Sequence, residues 1–266
     1  MKSSSKNNLI GVLVDGIDRQ TAIEMVMEAA RQGRGFSVSA LAVHGVMSGV
    51  LDVTHRYRLN HLDLVVADGQ PVRWALNLLH SVGLRQRVYG PALTLDVIQR
   101  AAEEGISVYL YGSTQEVITL LCASLRQRFP GIKIAGAEPS QFVRISPETA
   151  DQISARIKQS GAQIVFAGLG CPRQEVWAYE FRDRLNVPIL AVGAAFPLIA
   201  GTLRMAPKWM QDHGLEWLFR LCLEPRRLWR RYLLLGPAYL ALVLGQWTGL
   251  SFRPEGKQPE QEVLPG

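Results

Sequence analysis

The sequence predicts an α/β fold built on a mostly parallel, Rossmann-like sheet covered by helices. The first observation is that short apolar, β-branched runs alternate with segments of helical periodicity over the first two hundred residues,. The second is that four of these runs end directly at glycine-containing turns, as strands of such sheets do at their ligand-binding edge. The third is a composition of 48% hydrophobic residues in a chain of 266, which is ample for a buried core,.

Each element is predicted from its own run of residues. The strands are expected at 9–14, 36–43, 62–67, 107–111, 132–135, 163–167 and 187–192, where apolar residues are bounded by turn residues,. The helices are expected at 21–32, from about His44, and at 116–129, 147–160 and 174–185, where apolar residues recur at helical spacing,. A further helix is expected to begin at Pro225, because proline suits a first helical turn.

Composition divides the chain into four parts. Residues 1–8 are polar, lack the apolar segment of a secretory signal and are expected to be disordered,. Residues 9–202 form the Rossmann-like domain that would carry the chemistry, and residues 203–252 form an Arg/Trp-rich helical appendage with an apolar segment. Residues 253–266 are rich in Pro, Glu and Gln and are expected to be a disordered tail,.

Positive charge is concentrated in the appendage. The chain carries a net charge of +6, and residues 204–232 hold seven Lys/Arg against three Asp/Glu, a local balance of +4. This distribution argues against a nucleic-acid binder and favours one anion-facing patch. From Pro225, the pairs Arg226/Arg230 and Arg227/Arg231 are each four residues apart and would share a helix face. Clustered guanidinium groups repel one another unless a diphosphate, a lipid headgroup surface or carboxylates lie nearby.

An uncharged segment follows the arginines at 233–250. As a straight helix its 18 residues would be about 27 Å long, near the lower limit for crossing a bilayer. Three interpretations stay open: a membrane span, a helix lying in the membrane interface beside the arginines, and ordinary core packing.

No metal or cofactor is predicted. Cys122, Cys171 and Cys222 are far apart, and neither they nor the histidines show the spacing of a zinc site,. The chain also lacks an Asp-x-Asp pair that could hold a divalent ion against a diphosphate,. Unpaired cysteines fit a reducing, cytoplasmic setting.

Glycine loops at the strand ends indicate a ligand crevice. Loops at 67–69, 111–113, 167–170 and 192–194 would bring Gly112, Gly168 and Gly170 close to a bound nucleotide diphosphate,. Each loop taken alone is also explained by turn chemistry. None matches the G-x-G-x-x-G or P-loop pattern, which argues against dinucleotide and NTPase sites.

Four polar residues at these loops are candidates for chemistry. Asp68 directly follows a buried strand, so withdrawal from water would raise its pKa and make it a usable general base; the alternative is a turn cap. His44, at a strand-to-helix junction, either moves a proton or is structural. Glu175 suits a helix N-terminus, and Gln174 beside it could hydrogen-bond a sugar or base.

Several motifs together resemble the WecG/TagA/CpsF family of bacterial glycosyltransferases. The resemblance spans roughly residues 10 to 235 and is carried by Ala67-Asp68-Gly69, GLGCPRQEVW at 168–177, Ala206-Pro207-Lys208-Trp209, GLEWLFRL at 214–221 and EPRRLWRRY at 224–232. It implies an inverting, metal-independent transfer of a sugar, typically of the N-acetylmannosamine type or its uronic acid, from a UDP donor. The acceptor it implies is an undecaprenyl-diphosphate-linked sugar at the cytoplasmic face of the bacterial inner membrane.

The resemblance also implies roles for individual residues. Asp68 takes the position of the proposed base, and Ser39-Ala40-Leu41 stands where the family has Thr-x-Asn. Arg220 and some of Arg226, Arg227, Arg230 and Arg231 would close over the UDP diphosphate, while the others hold the protein against the membrane as a peripheral enzyme. Departures occur at Gly90-Pro91-Ala92 for Gly-Thr-Asp, Phe196-Pro197 for Phe-Asp and Met205-Ala206-Pro207 for Arg-Ala-Pro. A hexose or uronic acid donor for exopolysaccharide synthesis is therefore as plausible as the typical donor.

Two other functions stay open at this point. The lost family residues are compatible with a non-catalytic sugar-nucleotide-binding or scaffold subunit of a polysaccharide assembly. A Rossmann-type oxidoreductase would bind NAD, which the loops do not favour. The sequence leaves the donor, the acceptor and homo-oligomer formation undetermined.

Overall fold

The computed structural model describes residues 6–262 and 264–266 of the chain. Its strands in that part are β1 (Lys6–Leu9), β2 (Val12–Asp15), β3 (Phe36–Leu41), β4 (Leu64–Ala67), β5 (Ser107–Gly112), β6 (Lys133–Glu138), β7 (Ile164–Gly168) and β8 (Pro188–Ala191). They form one sheet in the order β1-β2-β4-β3-β8-β7-β5-β6. β1 pairs antiparallel with β2, and the other neighbouring strands are parallel. The predicted α/β class with a mostly parallel sheet is confirmed.

Helices cover both faces of this sheet. Those of the described residues are α1 (Arg19–Arg31), α2 (Val43–Leu51), α3 (Val53–Asn60), α4 (Gln70–His80), α5 (Gly90–Glu104), α6 (Gln115–Arg128), α7 (Pro147–Gln159), α8 (Arg173–Leu185), α9 (Ala195–Ile199), α10 (Lys208–Asp212), α11 (Glu216–Leu223), α12 (Pro225–Trp229) and α13 (Leu235–Trp247), with a π-helical turn at Arg230–Leu234 between the last two. The cores show that α2, α3, α4, α7, α8 and α13 cover one face and that α1, α5, α6 and α9 cover the other.

Each face of the sheet has its own apolar core because successive side chains of a strand point in opposite directions. In β4, Val65 and Ala67 belong to one core, while Leu64 and Val66 belong to the other. Strands buried on both faces need apolar residues at every position, which is why they appear in the sequence as continuous apolar runs.

The first predicted strand, at 9–14, is a hairpin in the structure. β1 and β2 are joined at Ile10 and Gly11, which have φ angles of 46° and 92°. Two residues at positive φ make the tight turn whose twist suits an antiparallel pair. Glycine adopts this conformation readily and isoleucine rarely does, so the apolar run concealed the turn.

The strand order creates a crevice between β3 and β8. The chain leaves β3 into α2 on one face of the sheet and leaves the neighbouring β8 into α9 on the other face. Connections that diverge in this way open a gap beyond the carboxyl ends of the strands, where ligands bind in such sheets. The loops after β4, β5 and β7 surround the same gap.

The apolar segment after the arginines packs partly on the body of the protein. α13 lies against α2 and α4, and it buries Tyr239 and Val243. The Gln246 side chain accepts from the Ile10 backbone N–H and donates to the Asn8 carbonyl, each at 2.8 Å. Across the residues that the structure describes, we find no helix with the length and apolar character required to span a membrane.

The two terminal segments predicted to be disordered make defined contacts. Residues 6–8 lie in β1, and the remainder of the predicted N-terminal segment, residues 1–5, is outside the described residues. Tail residues bond to α3: the Lys257 backbone N–H donates to the Val53 carbonyl at 3.0 Å, and the Pro254 carbonyl accepts from the Asn60 side chain at 2.7 Å. A polar, proline-rich composition indicates that a segment buries little apolar surface. It does not indicate whether the backbone of that segment forms hydrogen bonds of this kind. Residue 263 of the tail is outside the described residues.

Candidate active site

A cavity of about 750 Å³ opens at the carboxyl ends of the strands, and the appendage covers it from the opposite side. The candidate catalytic and substrate-binding residues that line it are His44, Asp68, Gly168, Gly170, Gln174, Glu175, Arg220, Arg227 and Arg231. Those that do not line it are Ser39, Gly112, Arg226 and Arg230. The volume is typical of a small-molecule site. Residues distant in sequence thus line one cavity.

Asp68 is the first residue after β4. Its Oδ1 accepts a hydrogen bond from the Gly90 backbone N–H at 2.8 Å, whereas Oδ2 accepts none from the described residues. Withdrawal from water raises the pKa of Asp68 to about 6, although the positive charge of Arg87 and the Gly90 N–H act in the opposite direction,. The carboxylate is therefore largely ionised at neutral pH and still basic enough to accept a proton.

Three residues beside Asp68 were not identified from the sequence. Arg87 Nη2 donates to Glu216 Oε2 at 2.7 Å, and Arg87 Nη1 donates to the Asp68 carbonyl at 3.4 Å. The Tyr89 hydroxyl donates to Glu216 Oε1 at 3.3 Å, and the Arg87 guanidinium lies 4.1 Å from the centroid of the Tyr89 ring. Glu216 opens α11, so this cluster joins the appendage to the wall of the cavity that holds Asp68. The sequence offered one signal for two of them: Arg87 and Tyr89 flank an apolar residue, Val88, in an alternating pattern just before α5. In the structure Val88 is buried.

We predict that Glu216→Ala loosens the appendage. The Arg87–Glu216 ion pair is largely buried, with side chains 12% and 16% exposed, so removing one partner strands a charge and is expected to cost about 3 kcal/mol,. Amide hydrogen exchange in α10 and α11 should accelerate.

The matched control is Asp212→Ala, which removes the exposed pair with Lys208 on the same appendage, whose side chains are 87% and 55% exposed on Lys208 and Asp212. An exposed pair contributes about 1 kcal/mol or less, so this variant should exchange like the wild type. Unchanged exchange in Glu216→Ala would show that the ion pair does not hold the appendage.

Gln174 and Glu175 form a buried hydrogen-bond network with the strand below. Glu175 Oε1 accepts from Gln174 Nε2 at 2.8 Å and from Ser39 Oγ at 3.2 Å. Gln174 Oε1 accepts from the Gly170 backbone N–H at 3.1 Å, which fixes the loop after β7. Burial raises the pKa of Glu175,. Ser39 is thus placed beneath the cavity, where its hydroxyl orients Glu175.

His44 lies at the start of α2 and lines the cavity. Burial, and next the positive charge of Arg231, lower the pKa of His44 to about 4,. The ring is therefore neutral at physiological pH and can exchange hydrogen bonds with a ligand without adding charge. Its Nδ1 is buried and has no hydrogen-bond partner among the described residues.

Close packing requires glycine at two of the predicted loop positions. A Cβ on Gly168 would lie 2.3 Å from Cδ2 of Phe196, and a Cβ on Gly112 would lie 2.8 Å from the Gly168 carbonyl carbon. Gly168 contributes backbone to the cavity wall, whereas Gly112 allows β5 and β7 to come together behind it. Gly168 therefore forms part of the cavity wall, whereas Gly112 has a packing role behind it.

The structure divides the five candidate arginines of the appendage into two groups. Arg220, Arg227 and Arg231 line the cavity, whereas Arg226 and Arg230 are exposed on the outer surface. The Arg227 side chain pairs with Glu224 at 2.6 Å.

The other two lining arginines lack such a partner. Among the described residues, Arg220 and Arg231 form no ion pair, and the Nε atom of each is buried without a hydrogen-bond partner. Burial lowers the pKa of Arg231, so its charge is destabilised until an anion binds,. Both guanidinium groups line the cavity that also holds Asp68, so an anion bound in the cavity would give them a partner.

No cluster of three or more His, Cys, Asp or Glu side chains that could hold a metal ion occurs in residues 6–262 and 264–266. The sequence profile of the Glycosyl transferase WecG/TagA/CpsF family matches residues 7–253. This match covers the sheet, the cavity and the whole appendage, including the motifs that carry Asp68, Gln174, Glu216 and Arg231. The chain therefore belongs to the WecG/TagA/CpsF family of glycosyl transferases.

Proposed function

We propose that the protein is an inverting, metal-independent glycosyltransferase that moves a sugar from a UDP donor to a polyprenyl-diphosphate-linked acceptor. Family membership establishes glycosyl transfer as the class of reaction. The single observation that carries the finer proposal is the lining of the cavity: it holds an ionised carboxylate with a raised pKa together with two guanidinium groups that form no ion pair with the described residues.

In the proposed reaction Asp68 acts as the general base. Its free Oδ2 takes the proton of the acceptor hydroxyl while the hydroxyl oxygen bonds to the anomeric carbon of the donor sugar. The bond from that carbon to the diphosphate oxygen breaks on the opposite side, and UDP leaves with the electron pair. One displacement of this kind inverts the anomeric configuration.

The arginines would stabilise the departing UDP. Negative charge develops on the diphosphate as the bond breaks, and donors already oriented towards that position stabilise the transition state most. Arg220 and Arg231 suit this role because neither is paired with a carboxylate of the described residues. Arg227 could contribute once its exposed pair with Glu224 opens.

The donor sugar is proposed at the level of class: an N-acetylmannosamine-type sugar, a uronic acid or a hexose, used for cell-surface or exopolysaccharide synthesis. Pro91 and Pro197 stand at positions that depart from the family pattern, and both line the cavity. These changes lie in the wall that would face the donor sugar. The proposal therefore includes all three classes of sugar.

The acceptor would reach the cavity from a membrane surface. The appendage exposes large apolar side chains, including Trp209 and Trp247 at 59% exposure each, and three of the exposed set, Trp217, Leu233 and Leu240, line the cavity. Others are Leu218, Leu223, Trp229, Leu234 and Leu244. Exposed Arg226 and Arg230 stand among them, and a surface of aromatic, aliphatic and cationic residues is typical of interfacial binding to anionic lipid. We therefore place the enzyme, as a peripheral protein, at the cytoplasmic face of the bacterial inner membrane.

The test is UDP release by the purified full chain with a panel of UDP-sugars and polyprenyl-diphosphate-linked acceptors in vesicles. UDP release that requires both substrates supports the proposal. Binding of a UDP-sugar without release in the presence of every acceptor would favour the non-catalytic subunit. Tight binding of NAD with none of UDP would overturn the proposal in favour of an oxidoreductase.

A further inference from the structure

Another cavity, of about 880 Å³, lies beside the one that holds Asp68, and we call it the side groove. Its walls are the start of α1, the middle of α5 and the loop that joins α4 to α5. Among the described residues, Arg87 alone lines both cavities. The side groove is therefore a neighbour of the candidate active site that the proposed reaction does not use.

The side groove begins next to the strand end that carries Asp68. In the parallel ladder between β2 and β4, Asp15 pairs with Val66. Gly16, which follows β2 and lines the groove, thus lies about 5 Å from Ala67, the residue before Asp68,. In the sheet order, β3, β8 and β7 lie on one side of β4, and β2 lies on the other. The groove and the loops after β3, β8 and β7 therefore flank Asp68 from opposite sides.

The loop that forms one wall of the groove is held in place by α4. Asn77 Nδ2 donates to the Leu84 carbonyl, and the Leu84 backbone N–H donates to Asn77 Oδ1, each at 2.9 Å. Arg73 Nη1 also donates to the Arg85 carbonyl. A wall fixed by its backbone in this way lowers the entropy that a ligand loses when it binds.

The lining of the groove is polar and nearly balanced in charge. Among the described residues it contains four arginine side chains, three carboxylates and three glutamine carboxamides. The carboxylates disfavour a strongly anionic ligand, and an apolar ligand would remove water from all of these groups without replacing it. Hydroxyl groups both donate and accept hydrogen bonds, so they suit guanidinium donors and carboxylate acceptors side by side. The mixture indicates a carbohydrate ligand.

The polar groups of the groove remain accessible to such a ligand. Arg19 on α1 and Asp96 on α5 form an ion pair at 2.8 Å, yet their side chains are 43% and 36% exposed. Gln99 Nε2 donates to Glu103 Oε1 at 3.0 Å in an exposed contact. A guanidinium has five N–H donors and a carboxylate has about four acceptor sites, so these pairs keep groups free for hydroxyls.

We propose that the side groove binds the sugar that precedes the reacting sugar of the acceptor, so that the acceptor is a lipid-linked oligosaccharide. This inference rests on the proposed function, in which the acceptor hydroxyl reaches Asp68. Inversion requires that hydroxyl to approach the anomeric carbon from the side opposite the leaving group. A donor held by the loops after β3, β8 and β7 leaves the β2 side of Asp68 to the acceptor, and that side contains the groove.

Turnover with acceptors of different glycan length tests the inference in the full chain. The probes are polyprenyl-diphosphate carriers that bear one, two or three glucose or N-acetylglucosamine residues, presented in vesicles with a panel of UDP-sugars. The best carrier with two or three sugars should be used with a kcat/KM at least tenfold above that of the best one-sugar carrier, because only a longer glycan reaches the groove.

A paired substitution locates this effect in the groove. Arg85→Ala combined with Gln99→Ala removes two lining side chains and should lower kcat/KM for the longer carrier about tenfold, through KM,. UDP affinity and kcat/KM for the one-sugar carrier should stay at the wild-type values. The matched control is Arg126→Ala combined with Gln127→Ala, two exposed neighbours on α6 that line neither cavity.

Two results would overturn the inference: equal use of one-sugar and longer carriers by the wild type, and an equal loss for both carriers in the groove variant. Either result would leave the proposed glycosyl transfer in place. Absence of UDP release with every carrier would instead overturn the proposed transfer reaction, and the inference with it.

Discussion

Asp68→Asn is expected to abolish sugar transfer while UDP binding persists. The amide keeps the size of the carboxylate and can still accept from the Gly90 N–H, but it cannot take a proton from the acceptor. Loss of a general base lowers kcat by about 10²- to 10⁴-fold. The measurement is UDP release at saturating donor and acceptor, together with UDP affinity by calorimetry.

The pH dependence follows from the same carboxylate. Because the pKa of Asp68 is raised to about 6, the base becomes protonated and wild-type kcat should fall as the pH drops through 6,. In the unfolded chain the carboxyl ionises at a lower pH, near its ordinary value of 3.8. Folded-state stability therefore declines as the pH rises from about 4 to 6, by at most about 3 kcal/mol. At pH 7 the Asn variant should accordingly melt no lower than the wild type, which separates lost catalysis from lost folding.

The control for this variant is Asp151→Asn, on α7, whose carboxylate pairs with Arg184 at the surface. It should retain wild-type turnover and pH dependence. Substantial turnover in Asp68→Asn would show that another group takes the proton.

Arg231→Ala is expected to lower kcat/KM by about 10²- to 10³-fold, the effect of removing one preorganised donor from a developing anion. Its guanidinium lines the cavity and has a buried Nε atom without a partner, so its removal breaks no ion pair of the described residues. Folding stability should therefore be unchanged, which thermal unfolding measures. Inhibition by UDP should weaken in parallel, because the diphosphate loses the same partner.

The adjacent Arg230→Ala variant is the comparison that the structure offers. Arg230 is exposed outside the cavity and faces the surface proposed to contact lipid. Its substitution should weaken binding to anionic vesicles and leave turnover of a detergent-dispersed acceptor close to that of the wild type. An equal loss of turnover in both variants would indicate that turnover depends on the total positive charge of this segment. The assignment of Arg231 to the diphosphate and Arg230 to the lipid surface would then be wrong.

The repeated strands and helices were accessible to sequence reasoning because each is encoded locally. A strand such as β7 must be apolar at every position to be buried on both faces, and a helix such as α7 needs a cap and apolar residues at helical spacing,. The β1–β2 hairpin was not predicted, because Ile10 adopts a backbone conformation that its residue type disfavours. The contacts of the tail were not predicted either, because they depend on backbone groups and not on residue type.

The candidate site was only partly visible in the sequence. Asp68, Gln174 and Glu175 follow strand ends, and parallel strands bring their ends together whatever their order, so a pattern identified them. Arg87, Tyr89 and Glu216 were missed because they matter to the site only through their contacts with one another. The first two are separated from Glu216 by well over a hundred residues, so no local pattern connects them.

By itself, the sequence determined the α/β class, the anion-seeking charge of the appendage and, through its motifs, the resemblance to a glycosyltransferase family. Those properties depend on residue type and spacing within short segments. Only the tertiary structure decided which arginines face the cavity, what raises the pKa of Asp68 and what holds the appendage over it. These depend on burial and on distances between remote residues, and both quantities exist only once the chain has folded.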